Sequence, residues 1–274
     1  MNGTNGHAAP ELDYLRHLAA DSDRFGTLLA GADPLLRVPS CTDWAADDLL
    51  WHLTEVQWFW WEILRGRLQQ PDAAESATPE RPADRARLPA LFHQASTGLH
   101  TCLSQTDPDE PVWTWADDQS VRFVRRRQAH EAMVHRVDAE QTVGVASVLD
   151  PALAADGVDE ALRVMYGGAP PWGEITDDGP TVRVAALDTG HTWLVVMARF
   201  TGTSPNTGKT YDEPTLHVLD DASVAGPDAD CTVEGAAADL DLWLWGRKST
   251  DDLDITGDRA AFERLEQAVA AGVQ

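Results

Sequence analysis

The sequence predicts two domains: an all-α four-helix bundle over residues 1–150, followed by a small α+β domain over residues 151–274. Three observations carry that expectation. Through the first half, apolar residues recur every three or four positions, the period of helices buried on one face. In the second half the pattern changes to short β-branched runs separated by turn residues. The length of 274 residues also suits two domains better than one.

The first helix is expected from Pro10 to Gly31, with Leu12, Leu15, Leu18, Phe25, Leu28 and Leu29 at helical spacing, and Gly31 and Pro34 ending it. The second lies in "CTDWAADDLLWHLTEVQWFWWEILRG", with Thr42 or Asp43 as N-cap, acids in the first turn and Gly66 at the end. A polar, proline-containing loop follows over roughly 69–81, and a third helix over about 83–104. "DPDEP" interrupts the chain before a fourth helix from about Asp117 to Gly144. Four helices of these lengths suit a bundle. The boundary falls near residues 147–157. Beyond it, "TVRVAALD" and "HTWLVVMARF" read as strands joined by an Asp-Thr-Gly turn, and "PTLHVLDD" and "DCTVEG" as further strands. "AAADLDLWLWGR" reads as a helix, "DLDITGD" as a short strand and turn, and "DRAAFERLEQAVAAG" as a closing amphipathic helix. This order is α+β, not repeated βαβ.

A net charge of -24 argues against a nucleic-acid or acidic-membrane partner. The first residues lack the basic-then-apolar pattern of a signal peptide, and no run of 18 apolar residues marks a membrane span. Cys41, Cys102 and Cys231 are an odd, scattered set that reads as small hydrophobes in a reducing cytoplasm. The expected partner is a small molecule, and the expected assembly a monomer or homodimer.

"HEAMVH", from His130 to His135, resembles the HExxH zinc signature but carries one residue too many. A helix turns about 100° per residue, so Glu131 and His135 share a face while His130 points elsewhere. The extra residue therefore changes the ligand pair from two histidines to a glutamate and a histidine. Taken alone, such a pair is more often a solvated face. A catalytic zinc typically needs a third protein ligand. His52 is the best candidate, since it stands in the stripe His52, Glu55, Val56, Phe59, Trp60, Ile63 of the second helix. A His₂Glu set suits Zn²⁺, and also Fe²⁺, Ni²⁺ or Mn²⁺. Asp138, three residues after His135, is placed to orient an imidazole. Trp51, Trp58 and Trp61 form another face of the same helix, expected to be covered by the second domain or another subunit.

The segments "CTDWAADDLLWHLTEV", "RRRQAHEAMVHRVDAE" and "ADLDLWLWGRKSTDDLDITGD" together resemble the mycothiol-dependent maleylpyruvate isomerase family. The resemblance covers nearly the whole chain, with the three motifs in the family's order. It implies a DinB-like N-terminal domain and a C-terminal domain similar to sterol carrier proteins. It implies zinc held by His52, Glu131 and His135, the same three that helical spacing selects, and a functional arginine at Arg247 in "LWLWGR". It also implies mycothiol as cosubstrate. Zinc deprotonates a thiol outright, and the thiolate adds to a conjugated cis double bond, allows rotation, and leaves. Arg247 or the metal would stabilise the charge that develops. The same thiolate could attack an electrophile and stay attached, which is a mycothiol S-transferase. Arg127, one turn before Glu131, reads either as a clamp for a substrate or thiol carboxylate or as a helix salt bridge. Arg122, Arg125 and Arg126 are expected to be solvated or paired with acids. A zinc hydrolase using metal-bound water and a non-catalytic metal- or ligand-binding protein are the alternatives.

Overall fold

The computed structural model describes residues 12–170, 172–205, 207–219 and 229–271. The expected start of the first helix at Pro10 and the reading of the N-terminus lie outside the described residues, as do Asp220 and Gly272.

The N-terminal part is helical. Helix α1 (Tyr14–Gly31) starts where the Asp13 side chain accepts from Arg16 N. A small hairpin follows, β1 (Arg37–Val38) with β2 (Cys41–Ala45), then α2 (Ala46–Gly66), a short α3 (Asp72–Ala77), α4 (Leu88–Gln105) and α5 (Val121–Thr142). Ser120 caps α5 by accepting from Phe123 N. Helix α1 packs along α5 and α2 along α4, with α1–α4 and α2–α5 contacts closing the group. Leu18, Trp60, Ile63, Leu99, Val124 and Ala132 fill one core of this part; Phe25, Leu49, Leu53 and Phe92 fill a second.

The C-terminal part begins with α6 (Pro151–Glu160), which runs on into a π-helical turn (Ala161–Tyr166). Strands β3 (Gly173–Ala186), β4 (His191–Thr203), β5 (Thr210–Val218), β6 (Cys231–Gly235) and β7 (Asp254–Gly257) form one sheet in the order β5-β4-β3-β6-β7. Neighbours are antiparallel except β3 and β6. Gly190 takes φ 73° in the turn between β3 and β4, a conformation that favours glycine. Helices α7 (Ala237–Leu244) and α8 (Arg259–Ala271) join α6 over a core that includes Leu153, Val158, Val184, Val195, Leu240 and Phe262. Met133, Val134 and Val137 of α5 belong to this same core, so α5 is packed into both parts of the chain. No described helix is long and apolar enough to cross a membrane.

Three expectations are corrected. Residues 41–45 pair with β1 instead of opening α2, because Ala46 N bonds to Leu36 O and Ala45 faces Arg37 across the hairpin. The cap position is Ala45, whose N–H is taken by the Asp48 carboxylate, and not Thr42 or Asp43. The tryptophan face of α2 is covered by its own neighbour: Trp61 lies over Gly98 of α4, where a Cβ would come within 2.4 Å of the indole. Trp51 joins the core with Phe25 and Phe92.

Candidate metal centre

Helix α5 is buried along most of its length, although much of its sequence is polar. Its buried polar groups are therefore expected to be paired. Buried Arg136 bonds Asp21 and Glu140; the partly buried Arg126 bonds Asp156 and Asp159, Arg125 bonds the Leu103 and Thr106 carbonyls, and at the exposed end Arg122 bonds Asp109. His130, fully buried, places Nε2 2.7 Å from Asp156 Oδ2 of α6.

One face of α5 carries Arg127, Glu131, His135 and Asp138, and His52 of α2 stands opposite. His135 Nε2 is 3.1 Å from Glu131 Oε1, and His52 Nε2 is 3.7 Å from the same oxygen. The three ligand atoms lie within 4.8 Å of one another. For ligands about 2.1 Å from a tetrahedral ion the separation is about 3.4 Å, so the donors stand close to the spacing such an ion requires. The outward atoms of two ligands are already fixed. His135 Nδ1 lies 2.9 Å from Asp138 Oδ2, and Glu131 Oε2 accepts from Arg127 at 3.0 Å. That leaves one imidazole nitrogen and one carboxylate oxygen aimed at a common point, opposite His52. The donor set and its anchoring fit a divalent metal.

Electrostatics agree with a cation site. Burial pushes the Glu131 carboxyl up, but hydrogen bonds from His135 and His52 outweigh it and hold it well below the usual carboxylate range. Burial pulls His135 down, but Asp138 and Glu131 outweigh it and raise its pKa to about 9. Asp138 is fully buried, and His135 and Arg247 keep it ionised far below the ordinary range despite that burial.

Arg247 reaches this cluster from the C-terminal part. Its Nε and Nη2 grip Asp138 Oδ1 and Oδ2 at 3.0 and 2.9 Å, and Nη1 donates to Trp245 O at 2.6 Å. Ser40 adds a bond to Asp138 Oδ1. Arg127 is buried, bonds Glu131 and Glu160, and lies over the Trp245 ring at 5.1 Å. It is thus paired with two acids of its own chain, the helix salt bridge with Glu131 among them.

A cavity of about 1140 Å³ opens beside the three ligands. Its walls come from Ser40 to Trp44, Met165 and Tyr166 of the π-helical turn, Trp243 to Thr250 at the end of α7 and beyond it, and Glu266, Val269 and Ala270 of α8. The Trp44 ring sits 4.8 Å from that of His52, and the Tyr166 hydroxyl is tied to Leu244 O. Within the stripe containing His52, Trp60 and Ile63 take the core with Leu49 and Leu53, while His52, Glu55, Val56 and Phe59 are partly exposed and His52 lines this cavity. Trp243 is buried and stacks on Phe262. Ser40, Trp44, Glu160, Met165 and Tyr166 were not singled out from sequence, and no periodicity marks them.

A family model described as "Mycothiol maleylpyruvate isomerase N-terminal domain" matches residues 15–140, and "MDMPI C-terminal domain" matches residues 152–264. A crystal structure of the mycothiol-dependent maleylpyruvate isomerase superposes with a TM-score of 0.55 at 10% identity, covering 89% of this chain and 92% of that one. A histidine-to-alanine mutant of that enzyme gives a TM-score of 0.56 at the same identity and coverage. At this identity the likeness is one of fold. No curated protein sequence matches the chain.

Proposed function

This chain belongs to the mycothiol maleylpyruvate isomerase family, and from that premise we propose that it is a metal-dependent enzyme that uses mycothiol on a small electrophilic substrate, by cis–trans isomerisation or thiol transfer. Residues 1–150 form a DinB-like four-helix metal-binding domain and residues 151–274 a sterol-carrier-like domain. His52, Glu131 and His135 hold the metal, Zn²⁺ by choice of donors. The observation that carries this reading is the ligand trio, anchored from behind and bordering a cavity large enough for two molecules.

A divalent metal in this position supplies the positive charge that turns a thiol into a thiolate at neutral pH. The remaining work falls to the chain. Asp138 holds His135 by Nδ1, so that Nε2 faces the site. Arg127 holds the far oxygen of Glu131 and so fixes which oxygen is presented. Arg247 keeps Asp138 in place and borders the cavity, where its charge opposes negative charge developing on a substrate carbonyl. Apolar walls on the same cavity limit water around the thiol.

The test is metal content of the purified protein, followed by calorimetric titration with mycothiol before and after metal removal. One metal per chain, with thiol binding lost on stripping, is the expected result. Metal without thiol binding would replace this reading with a hydrolase acting through water. Arg247→Ala is expected to retain metal and lose turnover by on the order of a hundredfold. Unchanged turnover removes Arg247 from the mechanism.

A further inference from the structure

We propose that the substrate of this cavity is an uncharged conjugated carbonyl compound and not a dicarboxylate. The inference rests on the thiol-enzyme reading above and adds the class of molecule that the thiol attacks.

Apart from the histidines, two cationic side chains among the described residues line the cavity, Arg247 and Lys248. Both are engaged by acids of the chain. Arg247 grips both oxygens of Asp138, and Lys248 Nζ lies 2.6 Å from Asp239 Oδ1 and 2.6 Å from Asp252 Oδ2. The first group is neutral overall, a dipole that can offset one developing oxyanion but brings no net charge to hold two carboxylates, and the second carries one net negative charge. Two more carboxylates stand on the wall, Asp43 and Glu266, and neither carboxylate forms an ion pair among the described residues, although Arg37 Nη1 reaches the Asp43 carbonyl at 3.4 Å. The two charges of a divalent metal are balanced by Glu131 and a bound thiolate. The wall is therefore negative, in a chain whose net charge is already -24. Like charges brought together in a partly dehydrated cleft are strongly disfavoured.

The remaining surface points to what is accepted instead. Trp44, Trp245, Tyr166, Met165 and Val134 give aromatic and apolar walls. Such surface favours a conjugated, uncharged skeleton. The structural neighbour is named for maleylpyruvate, an acid with two carboxylates; among the described residues this cavity offers that molecule no unengaged arginine or lysine.

The chemistry balances with a neutral substrate. The thiolate sulfur bonds to the β-carbon, and the C=C electron pair moves through the α-carbon to the carbonyl oxygen, giving an enolate that carries the charge the thiolate brought. The former double bond rotates. The pair returns, the C–S bond breaks, and the thiolate leaves with its charge. No oxidant or proton donor is consumed, and the charge in the cavity never exceeds that of the thiolate.

Maleylpyruvate and its dimethyl ester form a matched pair with one carbon skeleton and one cis double bond, differing in charge. Zinc-loaded full-length protein is first titrated with mycothiol. Each compound is then tested for binding, by quenching of tryptophan fluorescence, and for loss of the cis-alkene signals by NMR above the uncatalysed thiol rate. The ester is expected to bind at least about tenfold more tightly and to turn over with at least about tenfold higher kcat/KM, a preference of about 1.4 kcal/mol. Asp43→Asn combined with Glu266→Gln is expected to narrow the gap by strengthening diacid binding several-fold. Equal or tighter binding of the diacid, or a gap unchanged in the double variant, overturns the substrate class while leaving the thiol reading intact. Absence of thiol binding in the first titration overturns both.

Discussion

His130 and His135 share helix α5 and each meets a carboxylate, yet one fastens the two parts of the chain together and the other borders a cavity. His130 is fully buried, with Nε2 on Asp156 and no partner for Nδ1 among the described residues. The same Asp156 takes Arg126 at 2.9 Å and the Tyr14 hydroxyl at 3.0 Å, so α1, α5 and α6 meet at one carboxylate. His135 instead has Nδ1 held by Asp138 and Nε2 beside Glu131, across from His52. The difference teaches that a histidine becomes a candidate ligand when one nitrogen is anchored and the other converges with further donors. Burial beside an acid is not enough.

The comparison breaks most directly on metal content. His135→Ala is expected to cut metal affinity by more than the roughly 10–100-fold that loss of a supporting partner costs, and His130→Ala to leave it unchanged. Metal analysis of the two variants giving the reverse would exchange their roles.

Stability is expected to show the opposite pattern. Asp156→Asn weakens the buried cluster joining α1, α5 and α6 and should cost roughly 3 kcal/mol in denaturant unfolding, with metal content intact. Burial pushes Asp156 up, but His130 and Arg126 outweigh it and hold its pKa down to about 2. Its contribution is therefore complete above the usual aspartate range and lost as pH falls from about 4 to about 2. Unfolding of the Asn variant should depend less steeply on pH across that window; an identical slope would remove Asp156 as the acid-sensitive group.

A smaller effect sharpens the account of the anchored nitrogen. Asp138→Asn is expected to lower metal affinity about tenfold, through a weaker hold on His135. Unaltered affinity in a competition titration would mean that packing alone orients the ring. The smallest effect belongs to the exposed end of α5. Asp109→Ala removes the surface pair with Arg122 and should change stability by less than about 1 kcal/mol, as measured by thermal unfolding.

The divided roles of these residues were only partly legible in the sequence. Helical rotation separates His130 from the Glu131–His135 face whatever surrounds them, and i, i+3 spacing places Asp138 beside His135. His52 could be selected because a histidine in an apolar stripe is conspicuous. Arg247 entered through resemblance alone, and its grip on Asp138 spans 109 positions that no local pattern links. Arg127 was ambiguous for the same reason: Glu160, which settles its pairing, lies 33 residues away on α6. Pairing between Arg37 and Ala45 overrode the helix-start signals at Thr42 and Asp43. Helix α6 was missed because its Ala-, Asp- and Gly-rich sequence reads as a linker until its buried face finds the C-terminal core.

The origin of the cavity walls constrains how this protein can diversify. The candidate ligands are drawn from α2 and α5, whereas much of the facing wall comes from the turn after α7 and the end of α8. Lys248, Ser249, Thr250 and Glu266 can be exchanged during descent without touching a ligand or its supports. Arg247 and Trp245 cannot, since one is fastened to Asp138 and the other lies under Arg127. Relatives that adopt new substrates should therefore vary at positions 248–250 and 266 while keeping 245 and 247. In that arrangement a lineage can retool its chemistry's target while inheriting the reactive centre unchanged.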